Sequence, residues 1–600
     1  MDKSDVKNVE ISKGQILDSG ILEILSGGSM DTYRRLLRDK TKGQAEADIF
    51  KVFEYITNFH FNPHDVGREF ESPFNLYVVR CPNPDNLTLE QVEVLKEVIP
   101  EIADPELKAR ICDFVWLKNK DVSCAKDAVL AYMESAQNLE DLDRWTTSAD
   151  RIHRAFHLTR LMSDNGLEEK LVAQIKSTIE RINGNDPSFY TLNLLEQLLS
   201  QGYKIDEYAT LIESVAKKSA KNKNWWQSEC YWELLRTLFR KEKNYSEFNR
   251  VTEALSTNYE QQAIISATAE KPSHFGAAGE LQSAIALLME LPNEEKRNIK
   301  INKLHRTLLE YQKKIPDEMT SITSDSLDIS SYVKQSRKLV AKADVKEAIK
   351  TLCMIQKVPE FSDIRNQVEE SIKNHAFIHI ANEVLIDSSG KTKAKKDALL
   401  GSESKKYEAA VLAEMYRSVG SEWAVIVQGV IEPARMQINT DHRVSQQDFD
   451  CILNGNPLVM VDRKPLLALG LWYGMLGRFS ESSHILVNQL ENILRLALIQ
   501  NNLIPVSITA QGIQKDFTLT KIFDSFESDL KNIFTEDLYF NLRALLIEEY
   551  GANLRNNLNH GLMSYGEIEN SVSSRYVWWL TIHLLYLVKA TYQRKDTLED

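Results

Sequence analysis

The chain has 600 residues, 43% of them hydrophobic, and its 73 basic against 86 acidic side chains give a formal net charge of −13. A negative bulk field does not draw in a polyanion, so any contact with nucleic acid has to come from a local basic patch. Glycine and proline are sparse, at 23 and 15, and Leu, Glu, Lys and Ala are plentiful, which excludes a loop-rich or collagen-like chain and predicts a mostly helical one with several cores or one long repeat array.

From the N-terminus, residues 1–93 read as a helical module. Short helices run to about residue 60, broken most clearly at Gly27-Gly28, and are followed by the extended-looking Tyr77-Val78-Val79 and the turn Cys81-Pro82-Asn83-Pro84. Residues 94–387 read as an α-helical repeat region. Paired helices at 106–136, 147–183, 188–221, 225–263, 277–315 and 329–375 recur about every 35–45 residues, the spacing of a repeat in which each hairpin buries its face on the next. The first pair sets Ala109, Cys112, Val115 and Trp116 against Ala125, Ala128, Val129, Ala131 and Tyr132. That pair, and the one holding Tyr231, Trp232, Leu235 and Tyr245, loosely resemble tetratricopeptide hairpins. Residues 388–407, with Lys391, Lys393, Lys395 and Lys396, read as a solvated linker, and 408–600 as a C-terminal helical domain. The predicted class is all-α, a helical-hairpin array followed by a bundle.

Several stretches imitate chemistry. His153 and His157, and again His375 and His379, have the i, i+4 spacing of metal ligands, but neither pair has the Glu beside the first His that a zincin helix uses, so they read as packing or surface histidines. Ser389-Gly390-Lys391-Thr392 resembles the end of a phosphate loop, yet Leu385 stands where its first glycine belongs. Trp225, Trp226, Tyr231 and Trp232 could stack on bases; at helical spacing they read as core. Tyr576–Val588 is the most apolar run, too short to cross a bilayer, and reads as a buried helix. No cofactor, metal site or membrane association is expected. The scattered Cys81, Cys112, Cys124, Cys230, Cys353 and Cys451 form no Cys-x-x-Cys pair and follow no secretory leader, so a reduced, cytoplasmic setting is expected.

The stretch richest in polar chemistry is Gly551–Gly561, GANLRNNLNHG. Leu554 and Leu558 are four apart and share one helical face, so they can dock on a core while Arg555, Asn556, Asn557, Asn559 and His560 project elsewhere. Arg555 and His560 are about 140° apart around an ideal helix and converge on one ligand only if the helix ends there. Gly561 is placed to end it, which leaves His560 in the last turn, facing the negative end of the helix dipole.

From Asn456 to about Tyr592 the chain resembles a family known as a domain of unknown function and defined by an RNxxxHG motif. Arg555, Asn556, His560 and Gly561 match that motif. The preceding text is similar as well: Asn456-Pro457, Leu469-Gly470-Leu471-Trp472-Tyr473-Gly474, Gly477-Arg478-Phe479, and Val487 to Arg495, with Asn488 where the family often carries Pro. The spacing also satisfies the Arg-x4–6-His pattern of the HEPN (higher eukaryotes and prokaryotes nucleotide-binding) superfamily, helical bundles that include many metal-independent ribonucleases. The resemblance implies a HEPN-like bundle within 408–600 that pairs as a homodimer with two motifs facing each other. It further implies an endoribonuclease acting on RNA, of the kind common in prokaryotic antiviral defence and toxin–antitoxin systems.

On that reading Arg555, Asn556 and His560 are the catalytic residues, and Asn559, Glu491 and Arg495 contact substrate. Histidine supplies proton transfers, and arginine a fixed charge with a bidentate fork for phosphate. Residues 456–600 carry 13 basic against 16 acidic side chains, so capture relies on local groups, with Lys521, Arg543 and Arg575 as further candidates. Glu491 and Arg495, four apart, also fit a plain intrahelical pair. The alternative is a non-catalytic scaffold in which Arg555 and Asn556 only knit the bundle. A regulatory protein partner is expected on the repeat region.

Overall fold

Short polar residues open most helices of the computed structural model, which describes residues 6–40, 47–64, 67–70, 84–320, 327–375, 382–387, 389–396 and 404–599. The chain divides into two units, 1–311 and 312–600. The first begins with α1 (Lys13–Asp18), α2 (Ile21–Ile24), α3 (Met30–Lys40), α4 (Ala47–Thr57) and α5 (Leu89–Val98). Longer helices follow: α6 (Pro105–Asn119), α7 (Val122–Asn138), α8 (Thr146–Met162), α9 (Asn165–Ile182), α10 (Tyr190–Ser200), α11 (Ala209–Lys221), α12 (Trp225–Lys241), α13 (Tyr245–Thr268), α14 (His274–Met289) and α15 (Glu295–Gln312). Asp104, Asp121, Asp164, Asn224, Asn244 and Ser273 cap α6, α7, α9, α12, α13 and α14 through their side chains.

The helices predicted between 106 and 315 are present, and among the described residues the fold is all-α apart from two small β-hairpins in the second unit. The pairing is corrected: α7 packs on α8, α11 on α12 and α13 on α14, across the expected pair boundaries, while α10 and α11, and α14 and α15, make little contact. A device that the sequence reading missed recurs where α7 meets α8 and α11 meets α12. Ser148 on α8 donates to the Ala136 carbonyl on α7 at 2.7 Å, and Ser228 on α12 to Ala216 on α11 at 2.8 Å, each reaching twelve residues back. Ser and Ala at the crossing keep the backbones close enough for the bond. Tyr231 and Trp232 are core, whereas Trp226 lies in the open with its ring edge-on to Phe189 at 4.6 Å. The expected boundary at 93/94 does not separate two cores: one apolar cluster runs from Val6 to Leu287 and includes Val92, Leu95 and Val98 of α5. Tyr77-Val78-Val79, Cys81-Pro82-Asn83, His379 and Ser388 lie outside the described residues.

Beneath that apolar cluster lies a buried ionic network. The Arg154 guanidinium, fully buried, donates to both oxygens of Asp113 at 2.9 and 2.8 Å and to Glu69 at 2.7 Å, and the Tyr132 hydroxyl donates to Asp113. Arg151 grips Glu106 with two nitrogens, and Ser135 donates to the same carboxylate. Burial pushes the Glu106 carboxyl up, but Arg151 and Ser135 outweigh it and hold it below its ordinary value. Within the predicted His pair, His157 sits 2.9 Å from Arg154, while His153 packs on His64 with ring centres 4.1 Å apart.

The second unit holds α16 (Ile315–Glu318), α17 (Ser330–Val340), α18 (Val345–Cys353), α19 (Phe361–Asn374), the antiparallel pair β1 (Glu383–Ile386) and β2 (Thr392–Lys396), α20 (Ser404–Ile426), α21 (Glu432–Asp441), α22 (Asp450–Leu453), α23 (Lys464–Met475) and α24 (Phe479–Gln500). After these come the pair β3 (Val506–Ile508) and β4 (Gln514–Asp516), α25 (Leu519–Ser525), α26 (Glu527–Phe534), α27 (Glu536–Leu546), α28 (Leu554–Asn559), α29 (Tyr565–Asn570) and α30 (Val572–Glu599). The expected repeat-to-linker boundary at 387/388 is corrected in two ways. Helices α17–α19 belong to the C-terminal core, because Trp579 donates to the Leu352 carbonyl at 3.0 Å, His583 to Cys353 at 2.6 Å and Asn541 to Pro359 at 2.9 Å. Within the expected linker, Lys396 is buried between Glu383 at 3.0 Å and Glu414 at 2.6 Å, and a long helix starts at Ser404. Between α20 and α21 the backbone widens to a π-turn over Val427–Ile431. Pro433 has no N–H for the Gly429 carbonyl four residues back, and the Ser336 hydroxyl donates to it at 3.3 Å. The apolar run of α30 is interior, with Tyr576 to Leu580, Ile582, Leu584 and Leu585 buried.

Two outcomes are expected in the first unit. Arg154→Ala leaves Asp113 and Glu69 charged, buried and unpaired, and should cost about 3–5 kcal/mol in denaturant unfolding; a loss under about 1 kcal/mol would show the network to be dispensable. Burial, helped by His64 and His157, pushes His153 down to about 4. The unfolded imidazole takes up a proton below about 6.5 and the folded one only below about 4, so this group lowers stability as pH falls through that window. His153→Gln should flatten the pH dependence of thermal unfolding between pH ~7 and ~4.5, and an unchanged slope would remove His153 as its source.

Candidate functional site

Helix α24 positions the site. Its inner face buries Leu486, Val487, Leu490, Ile493, Leu494, Ala497 and Leu498. Its other face carries His484, Asn488, Glu491 and Arg495 at i, i+4, i+7 and i+11, one stripe of a 3.6-residue period. Across this stripe lies α28, a helix of six residues. Leu554 and Leu558 are buried at 0% and 4% exposure, which docks α28 and turns its polar side outward. Before it, Gly551 packs so closely on α27 that a Cβ would stand 2.0 Å from the Ala544 carbonyl oxygen. After it, His560 forms the C-cap and Gly561, at φ +64°, takes the chain out of the helix.

The polar groups meet as follows. Arg555 donates from Nε to Glu491 at 3.4 Å and from Nη1 to the Asn556 side chain at 3.2 Å. Arg495 donates to the other Glu491 oxygen at 3.1 Å and to the Phe517 carbonyl at 3.1 Å. Two guanidiniums around one carboxylate leave one positive charge over, on side chains 19–25% exposed. Asn559 reaches Asn488 at 3.5 Å, and His560 is exposed. Asn556 points back to Asn553, the left-handed residue that starts the helix, at 2.7 Å, so it braces Arg555 and the turn. Asn557 likewise donates to the Ala552 carbonyl at 3.1 Å.

Arg555, Asn559, Glu491 and Arg495 therefore fall along the seam of α28 and α24, with Asn556 behind them, and His560 follows Asn559 as the exposed cap of α28. Lys521 adjoins the seam, its ammonium 3.8 Å over the ring of Phe517. Arg543 and Arg575 do not: Arg543 is engaged by Tyr539, Glu548 and Asp524, and Arg575 lies over Phe479 with bonds toward Ser571 and Glu432. Sequence reasoning missed His484. It is exposed, one turn from Asn488, and its Nδ1 lies 2.8 Å from the Ser480 carbonyl oxygen. A carbonyl only accepts, so Nδ1 carries the proton and Nε2 faces outward as an acceptor. The i, i+4, i+7, i+11 polar stripe was the signal that could have found it. Among the described residues no group of three or more His, Cys, Asp or Glu is placed to hold a metal ion, and no helix is long and apolar enough to cross a membrane. Cys112, Cys124, Cys230, Cys353 and Cys451 are free thiols.

Comparison with known proteins reaches a different part of the chain. Residues 19–171 are similar to the family described as Domain of unknown function (DUF7380). That stretch runs from α2 into α9, across the ionic network of Arg151 and Arg154, and includes none of the residues of the Arg555 surface. No curated protein matches the chain. A solved structure described as a circular tandem repeat protein with novel repeat topology and enhanced subunit contact surfaces is 10% identical, with 99% of this chain and 100% of that one covered at a TM-score of 0.14. A score that low carries no argument about this fold.

The site's dependence on docking is testable without any activity. Leu554→Ala should lower stability by about 2–5 kcal/mol, whereas His560→Ala and Asn559→Ala, both exposed, should stay within about 0.5 kcal/mol of the parent in denaturant midpoints. Equal losses in all three would mean that the polar side of α28, not its leucines, holds it in place.

Proposed function

We propose that the C-terminal unit is an endoribonuclease of HEPN type that cleaves RNA without a metal ion and works as a two-fold dimer. The observation that supports this reading is the surface formed by α24 and α28, which carries the excess positive charge of Arg555 and Arg495 together with two exposed imidazoles, His560 at the end of α28 and His484 on α24. In the reaction, a base takes the proton of the ribose 2′-hydroxyl and its oxygen attacks phosphorus. The bond to the 5′-oxygen breaks, and an acid returns a proton to that leaving group. The products are a 2′,3′-cyclic phosphate and a 5′-hydroxyl. Imidazoles suit both proton transfers, and a guanidinium suits the phosphorane charge. Pairing two copies with their motifs facing doubles these groups around one phosphate.

A second reading is favoured by one observation: Arg555 is already held by Glu491, and Asn556 by Asn553. These contacts also fit a scaffold in which the motif only knits α28 to α24.

Cleavage of a single-stranded RNA separates the two. Arg555→Ala and His560→Ala should each lower the rate by at least ~100-fold with helix content unchanged, His484→Ala should lower it less, and cleavage should survive EDTA. Absence of cleavage by the parent, or a His560→Ala protein as fast as the parent, would leave the scaffold reading. Sedimentation of a cleaving monomer at micromolar concentration would remove the dimer from the proposal.

A further inference from the structure

Away from that surface, a cavity of about 400 Å³ opens between α19, α20, α26 and α27, a volume within the range of small-molecule sites. Its floor is aromatic and apolar. Tyr416 stacks on Phe540 with ring centres 5.2 Å apart and planes at 14°, Phe361 meets Phe540 edge-on at 5.4 Å, and Met415 lies beside them.

The rim is charged in an unequal way. Arg365 is held by Glu369 at 2.8 Å and Glu408 at 3.0 Å, Lys531 by Glu527 at 2.9 Å and Glu536 at 3.1 Å, and Arg543 by Asp524 at 2.9 Å and Glu548 at 2.5 Å. Every cation on the rim is thus bracketed by two carboxylates; of these, Glu408, Asp524, Glu527 and Glu536 line the cavity itself, against Arg365, Lys531 and Arg543, which leaves one negative charge in excess at the mouth. An anion is repelled there and a further cation attracted. The cavity already displays this preference. The Lys531 ammonium lies 5.4 Å from the centre of the Tyr539 ring, a cation–π distance. Burial pushes its pKa down, yet Glu527 and Glu536 outweigh that and hold it above the ordinary lysine value.

We infer that this cavity binds a small aliphatic polyammonium ion, its methylene chain over Phe361, Met415 and Tyr416 and its ammonium groups among Glu408, Asp524, Glu527 and Glu536 of the rim. The carboxylates stand in three separate clusters, which suits charges spread along a chain better than a single compact ion. Nothing in this inference depends on ribonuclease activity.

The test is calorimetric titration of the full-length protein with spermidine, with magnesium chloride as a control of high charge and no apolar body and 1,8-octanediol as a control of apolar body and no charge. Spermidine should bind at one saturable site and weaken as salt rises from ~50 to ~300 mM. Glu408→Gln/Glu536→Gln should weaken it at least tenfold, and Ala409→Trp, which fills the exposed mouth, should abolish it, both with the melting curve of the parent. Two variants guard against misfolding of either. The inference is overturned if no saturable heat appears, if magnesium displaces spermidine at equal concentration, or if the folded variants bind as the parent does.

Discussion

A six-residue helix has too few internal hydrogen bonds to repay its own nucleation in water, so α28 exists only because Leu554 and Leu558 are taken up by the core formed by α24, α27 and α30. Everything proposed for the Arg555 surface hangs on those two side chains and on the close approach of Gly551 to Ala544, which fixes where the helix begins. Hydrophobic docking sets the position, and the polar groups are then carried to the outside by helical geometry alone. Arg555 is carried to Glu491 of α24, and His560 stands in the open at the C-cap of the same short helix.

The two units use arginine in opposite ways. In the first, Arg154 is sealed from solvent and its charge is matched by Asp113 and Glu69, an arrangement that costs desolvation on every partner and gives a single allowed geometry. In the second, Arg555 and Arg495 share Glu491 near the surface, where the charge is only half cancelled. The same residue type thus serves as an internal strut in one place and as exposed charge in the other, and burial is what separates the two roles. The carboxylate-rich rim around Arg365, Lys531 and Arg543 is a third arrangement, cations outnumbered by their partners, with the opposite sign of residual field.

Much of the architecture was legible. Apolar residues at i, i+3 and i+4 recur between 106 and 315 and placed the helices there, and capping residues such as Asp104, Asp121 and Asp164 mark the starts, but which neighbours pack together was not legible. The leucine phase in Leu554 and Leu558 and the glycine after His560 gave the local form of α28. The boundary was not legible. Lys391, Lys393, Lys395 and Lys396 look like a solvated tether in one dimension, and only the pairing of β1 with β2 and the approach of Glu414 show that Lys396 is interior. Equally hidden was the allegiance of α17–α19, whose helical pattern is that of the preceding hairpins and whose partners, Trp579, His583 and Asn541, lie some 180–230 residues further on.

The sequence by itself determined the all-α class, the helices of the first unit, the burial of most of the Tyr576–Val588 run and the end of α28, because each follows from periodicity and capping within a dozen or so residues. Tertiary structure decided the rest. It chose which of the four proposed cations adjoin Arg555, bringing Arg495 and Lys521 close and sending Arg543 and Arg575 elsewhere, and it added His484 by laying α28 along the polar stripe of α24. Such choices depend on contacts between residues 60–70 positions apart, and the sum of many weak packing energies that selects those contacts leaves no local mark in the chain.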